Sequence, residues 1–127
     1  PLANGLLAGR YDEENLPKFP KSLTMKKYVV GGADGYPDGG YTPLLKELRR
    51  IANDRGKTVP QVSINYVLCK GAIPIAGARN AAMAEQNAGA MGWRLSDTEV
   101  GEMLQELPSK RLLLRLTERF RQKPIEL

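Results

Sequence analysis

The sequence contains no histidine and one cysteine, and it lacks any long apolar run. Without a histidine, Cys69 has no imidazole to act as its base, so a Cys–His nucleophile is excluded within this chain. Without a second cysteine, neither an internal disulfide nor a metal site is expected, and a reducing compartment is favoured. Cys69 is therefore predicted to be a small buried core residue. No apolar stretch approaches the ~20 residues of a membrane-spanning helix, so no transmembrane segment is expected.

The chain also has little net charge outside its last residues. Residues 109–127 contain six Lys or Arg and two Glu, which supplies +4 of the total charge of +5. The remainder therefore offers no electrostatic argument for nucleic-acid binding. Leu112, Leu116 and Phe120 recur at helical spacing beside arginines. Residues 108–127 are predicted to be a basic amphipathic tail, either packed as an ordinary terminal helix or docked on an acidic protein or membrane surface.

The middle of the chain contains the start and stop signals of several helices. Pro43 follows Thr42, which predicts a helix with Thr42 as its N-cap, and apolar residues then recur at helical spacing as far as Gly56. Thr58 is predicted to cap a second helix, which Gly71 ends. The segment before these helices, residues 11–41, is rich in turn formers and predicts a long connection, either a lid or a flexible surface insertion.

The most informative segment comprises residues 72–80. Its apolar residues 72–75 predict a short β-strand, which ends at the flexible Gly77. Arg79 follows, and Asn80 is placed to cap a helix over residues 81–91. Free backbone N–H groups at the helix start and the Arg79 guanidinium would converge on one point, which predicts a nucleotide phosphate site. Ser96 then begins a capping box and a last helix, which reaches about Leu107.

Residues 72–95 closely resemble the last strand, loop and helix of the aldo-keto reductases, in which this loop holds the adenosine 2′-phosphate of NADP(H). Residues 1–12 resemble the loop after strand seven of the same family, which wraps the cofactor's pyrophosphate. Because both matches occur in the family's order, residues 1–107 are identified as a member of that family. The chain looks like its plant and algal plastid-type and potassium-channel-beta-like members. The resemblance implies an α/β fold, the C-terminal half of a (β/α)8 TIM barrel.

The resemblance also implies which residues hold the pyrophosphate. Pro1, Leu2, Ala3 and Gly5 match backbone positions that contact it. Arg10, with the neighbouring tyrosine, matches the family's Lys/Arg-Tyr pair that clamps the phosphate charge. The opening segment is therefore expected to bind the central part of NADP(H).

A second group of residues matches the family's contacts to the adenosine end. Tyr11 is the tyrosine of the pyrophosphate clamp and does not belong to this group. Gly77 allows the phosphate to approach the backbone of the loop closely. Arg79 matches the residue that faces the 2′-phosphate and selects NADP over NAD, for which a planar guanidinium is suited. Gln86 and Asn87 match the pair that reaches the adenine ring. No residue of this chain is expected to be catalytic, because the family's catalytic Asp, Tyr, Lys and His lie in the first half of the barrel.

The length of the chain leaves two functional hypotheses open. A (β/α)8 barrel needs about 250 residues, whereas this sequence has 127 and begins without methionine, so its start looks like a cut. On the first hypothesis it is the NADP(H)-binding portion of an oxidoreductase that reduces aldehydes or ketones, incompetent for catalysis alone. On the second it is a truncated, non-catalytic structural subunit of a larger, plastid assembly. A third possibility is that the remainder of the barrel is present but unresolved, which restores the first hypothesis.

An incomplete barrel has consequences for partners and location. Its open sheet edge and apolar helix faces would be exposed, so three outcomes are expected: a missing first half of the barrel covers the edge, a protein partner covers it or binds the basic tail, or the chain aggregates. A small carbonyl compound is the expected substrate of the complete enzyme. The cytoplasm or the plastid stroma is the expected compartment.

Overall fold

The computed structural model describes residues 2–11 and 40–107, and these residues form one 3₁₀ helix and four α-helices. The elements, in chain order, are the 3₁₀ helix Ala3–Ala8, α1 Thr42–Arg55, α2 Val59–Cys69, α3 Ala81–Ala88 and α4 Asp97–Gln105. The predicted lid or insertion and the predicted basic tail lie outside the described residues, except for the ends of the former. Pro1 also lies outside them.

The core is built on the apolar stripe of α1. Leu45, Leu48 and Ile51 are at most 1% exposed, and they pack with Val62 of α2. Further core residues come from the 3₁₀ helix and from the chain around α4; these are Leu6, Leu95 and Met103. The predicted helical periodicity of α1 is confirmed, because its apolar residues face the other elements while Lys46, Arg50 and Arg55 are exposed. Burial of this stripe is the main force that joins α1, α2 and α4.

Local capping signals determine where most helices begin. The Thr58 side chain accepts a hydrogen bond from the Gln61 amide, and a capping box is complete at α2. Asn80 caps α3, and Ser96 forms the second capping box at α4. These three predictions are confirmed. At α1 the prediction was one residue late: Tyr41 is the N-cap, and Thr42 is already helical. Pro43 tolerates this shift because first-turn N–H groups have no intrahelical acceptor.

Two helices end at the glycines predicted for them. Gly56 ends α1 in the left-handed conformation with φ 59°. Gly71, with φ 74°, follows the C-cap Lys70 of α2, whereas α3 ends at Ala88 rather than at residue 91. Cys69 is half-buried against the core rather than within it. None of the described helices is long and apolar enough to cross a membrane.

The predicted strand at residues 72–75 is not present. These residues have no regular secondary structure, and Ile73 and Ile75 are 90% and 83% exposed. A strand is stable only when its N–H and C=O groups pair with a neighbouring strand, and residues 2–11 and 40–107 provide none. The described part of the chain is therefore helical, and it does not confirm the α/β prediction.

Candidate functional site

The opening segment, residues 2–11, is a compact loop around one buried side chain. Leu6 is 2% exposed and belongs to the core. The Leu2 carbonyl accepts hydrogen bonds from the amides of Gly5 and Leu7, at 3.0 and 3.2 Å. Gly5 has φ 98°, a conformation that suits glycine. The turn around Gly5 is thus set by backbone geometry, with no polar side chain required.

Both α1 and α2 hold the end of this segment. Ser63 Oγ donates to the Leu7 carbonyl at 2.8 Å, and Arg49 Nη2 donates to the Gly9 carbonyl at 3.3 Å. Gly9 lies against Val59, so closely that a Cβ on Gly9 would come within 3.2 Å of the valine side chain. Two helices therefore fix the path of the backbone that leads into the predicted phosphate clamp.

The predicted clamp residues lie at the end of the same loop. Arg10 is exposed, whereas Tyr11 is half-buried and packs against the core. The Tyr11 ring faces Gly5, since a Cβ on Gly5 would lie 3.7 Å from Tyr11 Cε2. The structure thus brings Gly5 and Tyr11 of the predicted pyrophosphate set close together, and Arg10 precedes Tyr11 in the chain. Leu2 and Ala3 belong to the same loop.

The second predicted segment, residues 77–87, is held together by hydrogen bonds of its own. Asn80 Oδ1 accepts from the Met83 amide at 2.9 Å, which caps α3. Asn87 Nδ2 donates to the Gly77 carbonyl at 3.2 Å and so ties the loop to the last turn of α3. Asn87 was predicted to contact adenine; in this structure its amide nitrogen holds the loop. Gly77, Asn80 and Asn87 together fix the loop that carries Arg79.

The Arg79 side chain projects from this loop. It is exposed and makes no hydrogen bond or ion pair with residues 2–11 or 40–107. It immediately precedes the capped start of α3, where the helix dipole favours an anion. A guanidinium without a protein carboxylate partner, next to a helix start, can bind a phosphate group. Gln86 is likewise exposed on α3.

The helix α2 connects the two segments. From its first turns Ser63 holds the opening loop, and Gln61 Nε2 donates to the Gln86 carbonyl of α3 at 2.9 Å. Sequence reasoning did not single out either residue. The pattern gave one hint, since both are polar residues in a mainly apolar helix; their partners, 25 or more residues away, could not be read from it.

Asn65 is a third residue that sequence reasoning missed. It is 1% exposed, and its Nδ2 donates at 2.8 Å to the carbonyls of both Ala90 and Trp93. Its Oδ1 accepts from the Leu95 amide at 3.0 Å. A buried amide is costly unless it is hydrogen-bonded, and here it is satisfied by the backbone that follows α3. Asn65 therefore holds the return of the chain from α3 to α4.

The ion pairs of Arg50 and Arg55 lie away from both segments, within α1 and between α1 and α4. Two hydrogen bonds from Arg55 and the Ser96 capping box lower the pKa of Glu99 to about 2. The hydrogen bond from Arg50 lowers the pKa of Glu47 below its ordinary value. Burial raises the pKa of Tyr66. Within residues 2–11 and 40–107 no cluster of acidic or cysteine side chains could hold a metal ion.

Comparison with known proteins identifies the family. The model of the Aldo/keto reductase family matches residues 1–106. The chain belongs to the aldo/keto reductase family. This aldo/keto reductase sequence is 41% identical over 99 residues to "Pyridoxal reductase, chloroplastic" of Arabidopsis thaliana. The aligned region covers 78% of this chain and 25% of that protein. It is 30% identical over 102 residues to "NADPH-dependent codeinone reductase 1-4" of Papaver somniferum, covering 78% of this chain and 32% of that protein.

The family assignment confirms the resemblance seen in residues 1–12 and 72–95. Both segments lie within the match to the aldo/keto reductase family. The chain spans 25% and 32% of the lengths of these two relatives. The assignment of individual residues to cofactor atoms stays a prediction.

Proposed function

We propose that this chain is the NADP(H)-binding portion of an aldo/keto reductase that reduces aldehydes or ketones, with the catalytic residues in another part of the barrel. The observation that carries the proposal is Arg79, an exposed guanidinium that has no partner among the described residues and lies at the capped start of α3. The names of both relatives support it, because both describe reductases and one of these is NADPH-dependent.

The residues of the second segment suit the adenosine end of the cofactor. Arg79 would bind the 2′-phosphate through two parallel N–H donors, and the first turn of α3 would add its dipole. Gln86 and Asn87 lie toward the other end of α3, where they would face the adenine. The Asn87 bond to Gly77 keeps the loop and the helix in one arrangement before the nucleotide binds.

The opening segment would hold the pyrophosphate. Leu2, Ala3 and Gly5 provide a glycine-containing backbone turn that a phosphate can approach closely. Arg10 would neutralise phosphate charge, with Tyr11 beside it. When bound, NADPH supplies the hydride for carbonyl reduction. This chain's part is to bind and orient the cofactor, and a small carbonyl compound is the substrate of the complete enzyme.

The same proposal places the described helices in the C-terminal half of a (β/α)8 TIM barrel. Residues 72–75 would be its last strand, formed when neighbouring strands are present. The exposure of Ile73 and Ile75 supports this, because a barrel strand is buried on both faces. A plastid stromal location is part of the proposal, on the strength of the chloroplastic relative.

The exposed isoleucines also favour a second candidate function. A non-catalytic subunit of a larger assembly would use the same apolar surface, Ile73 and Ile75, to bind a protein partner. On that alternative the nucleotide segment would have no ligand. Nucleotide binding therefore distinguishes the two candidates.

The test compares two nucleotides that differ by one phosphate. Isothermal titration of the 127-residue chain is expected to show tighter binding of 2′,5′-ADP than of 5′-ADP. Arg79→Ala should weaken 2′,5′-ADP binding by about 10- to 100-fold, the worth of hydrogen bonds to a charged group, and leave 5′-ADP binding nearly unchanged. Arg79→Lys should recover part of the loss, since it keeps the charge without the two parallel donors.

Arg94→Ala is the matched control. Arg94 is also exposed and donates to the Cys69 carbonyl at 3.4 Å, outside the predicted binding set. Its removal should leave the affinity for 2′,5′-ADP unchanged. Equal affinity of the wild-type chain for the two nucleotides, or equal losses in the Arg79 and Arg94 variants, would contradict the proposal.

A further inference from the structure

The helix α3 has no apolar anchor. None of its residues is buried, and only Met83 and Asn87 are half-buried. It has eight residues, fewer than the ~12–15 below which an isolated helix is only marginally stable in water. Its place in the molecule therefore depends on the few polar contacts that it makes with α2 and with the chain around it.

Gln61 provides the contact from α2 to the body of α3, and its two polar atoms have different partners. Oε1 accepts from the Thr58 amide at 3.0 Å, which completes the capping box of α2. Nε2 donates to the Gln86 carbonyl at 2.9 Å. The reverse orientation of the carboxamide would place oxygen against the carbonyl oxygen and nitrogen against the amide N–H. The Gln61 side chain thus caps α2 through its oxygen and holds α3 against α2 through its nitrogen.

Gly89 leaves the space that this contact needs. Its φ of −63° and ψ of −7° are ordinary helical values that any residue adopts. A Cβ at this position would nevertheless overlap the Gln61 carboxamide nitrogen. Glycine is therefore needed here for space and not for backbone conformation. Gln61 and Gly89 form a pair, in which one donates the hydrogen bond and the other admits the donor.

We infer that Gln61 is a positioning residue for the adenine end of the nucleotide, acting through α3 without touching the ligand. This inference rests on the proposed function of the segment. The bond to the Gln86 carbonyl holds the end of α3 that carries Gln86 and Asn87, while Asn80 orders the end next to Arg79. Without the bond from Gln61, Gln86 and Asn87 would no longer be held at a fixed distance from Arg79.

Gln61→Glu separates the two purposes of the side chain. Glutamate accepts the Thr58 amide as well as glutamine does, so the capping box and the denaturation midpoint should be retained. It cannot donate to the Gln86 carbonyl. We expect binding of 2′,5′-ADP to weaken by about threefold to tenfold, the range for one hydrogen bond. The loss should persist at high salt, which screens the added charge.

Gly89→Ala removes the same bond without adding charge. The new methyl group displaces the Gln61 carboxamide, whose side chain is flexible, while the backbone conformation is allowed. We expect a loss of 2′,5′-ADP affinity similar to that of Gln61→Glu. The double variant should be no weaker than either single variant, because both act on one contact. Inorganic phosphate, which needs only Arg79 and the first turn of α3, should bind equally to all four proteins.

The outcomes are distinguishable. Absence of 2′,5′-ADP binding by the wild-type chain would overturn the proposed function and the positioning role together. Wild-type affinity in Gln61→Glu, additive losses in the double variant, or an equal loss of phosphate binding would overturn the positioning role alone. Should Gly89→Ala lower the denaturation midpoint, Gln61→Glu and its salt dependence decide the question.

Discussion

The helix α1 and the segment of residues 71–88 are held in place by opposite means. The core face of α1 is fully buried, with Leu45, Leu48 and Ile51 at most 1% exposed, whereas no residue from 71 to 88 is buried. Apolar packing therefore fixes the first, and a few hydrogen bonds of the kind made by Gln61 fix the second. Stability and the proposed binding function therefore reside in different residues. Substitutions in α1 should change the free energy of unfolding, and substitutions in residues 71–88 should change nucleotide affinity.

The largest expected effect is in the core. Leu48→Ala removes a buried side chain from the centre of α1 and should lower the free energy of unfolding by about 2–5 kcal/mol, from lost burial and the cavity left behind. Urea denaturation followed by circular dichroism measures it. Lys46→Ala, on the exposed side of the same helix, should change stability by less than about 0.5 kcal/mol. If Leu48→Ala and Lys46→Ala both lowered the free energy of unfolding only slightly, apolar packing would not be what fixes α1.

A smaller effect is expected from the ion pairs that join α1 to α4. The pKa of Glu99 is about 2 in the folded chain against an ordinary 4.5. Because the folded pKa is the lower one, the stabilisation is fully present above pH 4.5 and is lost as the pH falls toward 2. Its size is small, since the Arg55 partner is well exposed to solvent.

Glu99→Gln isolates this contribution. Glutamine keeps the acceptor for the Ser96 amide but has no charge to lose. The free energy of unfolding of the variant should fall less steeply between pH 4.5 and pH 2 than that of the wild type. Glu85→Gln, on the exposed surface of α3, should follow the wild-type pH curve. Parallel curves for Glu99→Gln and the wild type would contradict the assignment.

The smallest expected effect on stability lies in the segment itself. Ile75 is 83% exposed, so Ile75→Ser should change the free energy of unfolding by no more than about 0.5 kcal/mol. The same replacement at Ile51, which is fully buried, should unfold much of the chain. A loss of several kcal/mol from Ile75→Ser in denaturation experiments would mean that residues 72–75 are covered in solution, and the contrast between the two regions would fail.

What the sequence predicted well was local. Thr58, Asn80 and Ser96 were found as helix caps because a cap depends on a side chain and an amide only two or three residues later. The apolar stripe of α1 was predicted equally well, because the spacing of its apolar residues alone defines one face of a helix. The family was also identified from short segments, since the pattern around Arg79 is long enough to be specific.

What the sequence predicted poorly depends on distant partners. Residues 72–75 have strand composition, but a strand requires a neighbour to pair with, and composition does not provide one. Asn65 and Gln61 were overlooked for the same reason: their hydrogen-bond partners lie about 25 residues away. For the cofactor residues, the structure brings Gly5 close to Tyr11 and Gly77 close to Asn87, pairs that spacing along the chain could not join.

Asn65 has a consequence for how this chain tolerates change. Its three main-chain partners are two carbonyls and one amide between Ala90 and Leu95, and main-chain atoms are the same whichever side chains they carry. That turn is thus held partly from outside, by one residue of a neighbouring helix, and partly by its own Gly92, whose φ of 80° suits glycine. Because Asn65 bonds only to main-chain atoms of this turn, a substitution at the exposed Met91 should leave all three of these hydrogen bonds intact.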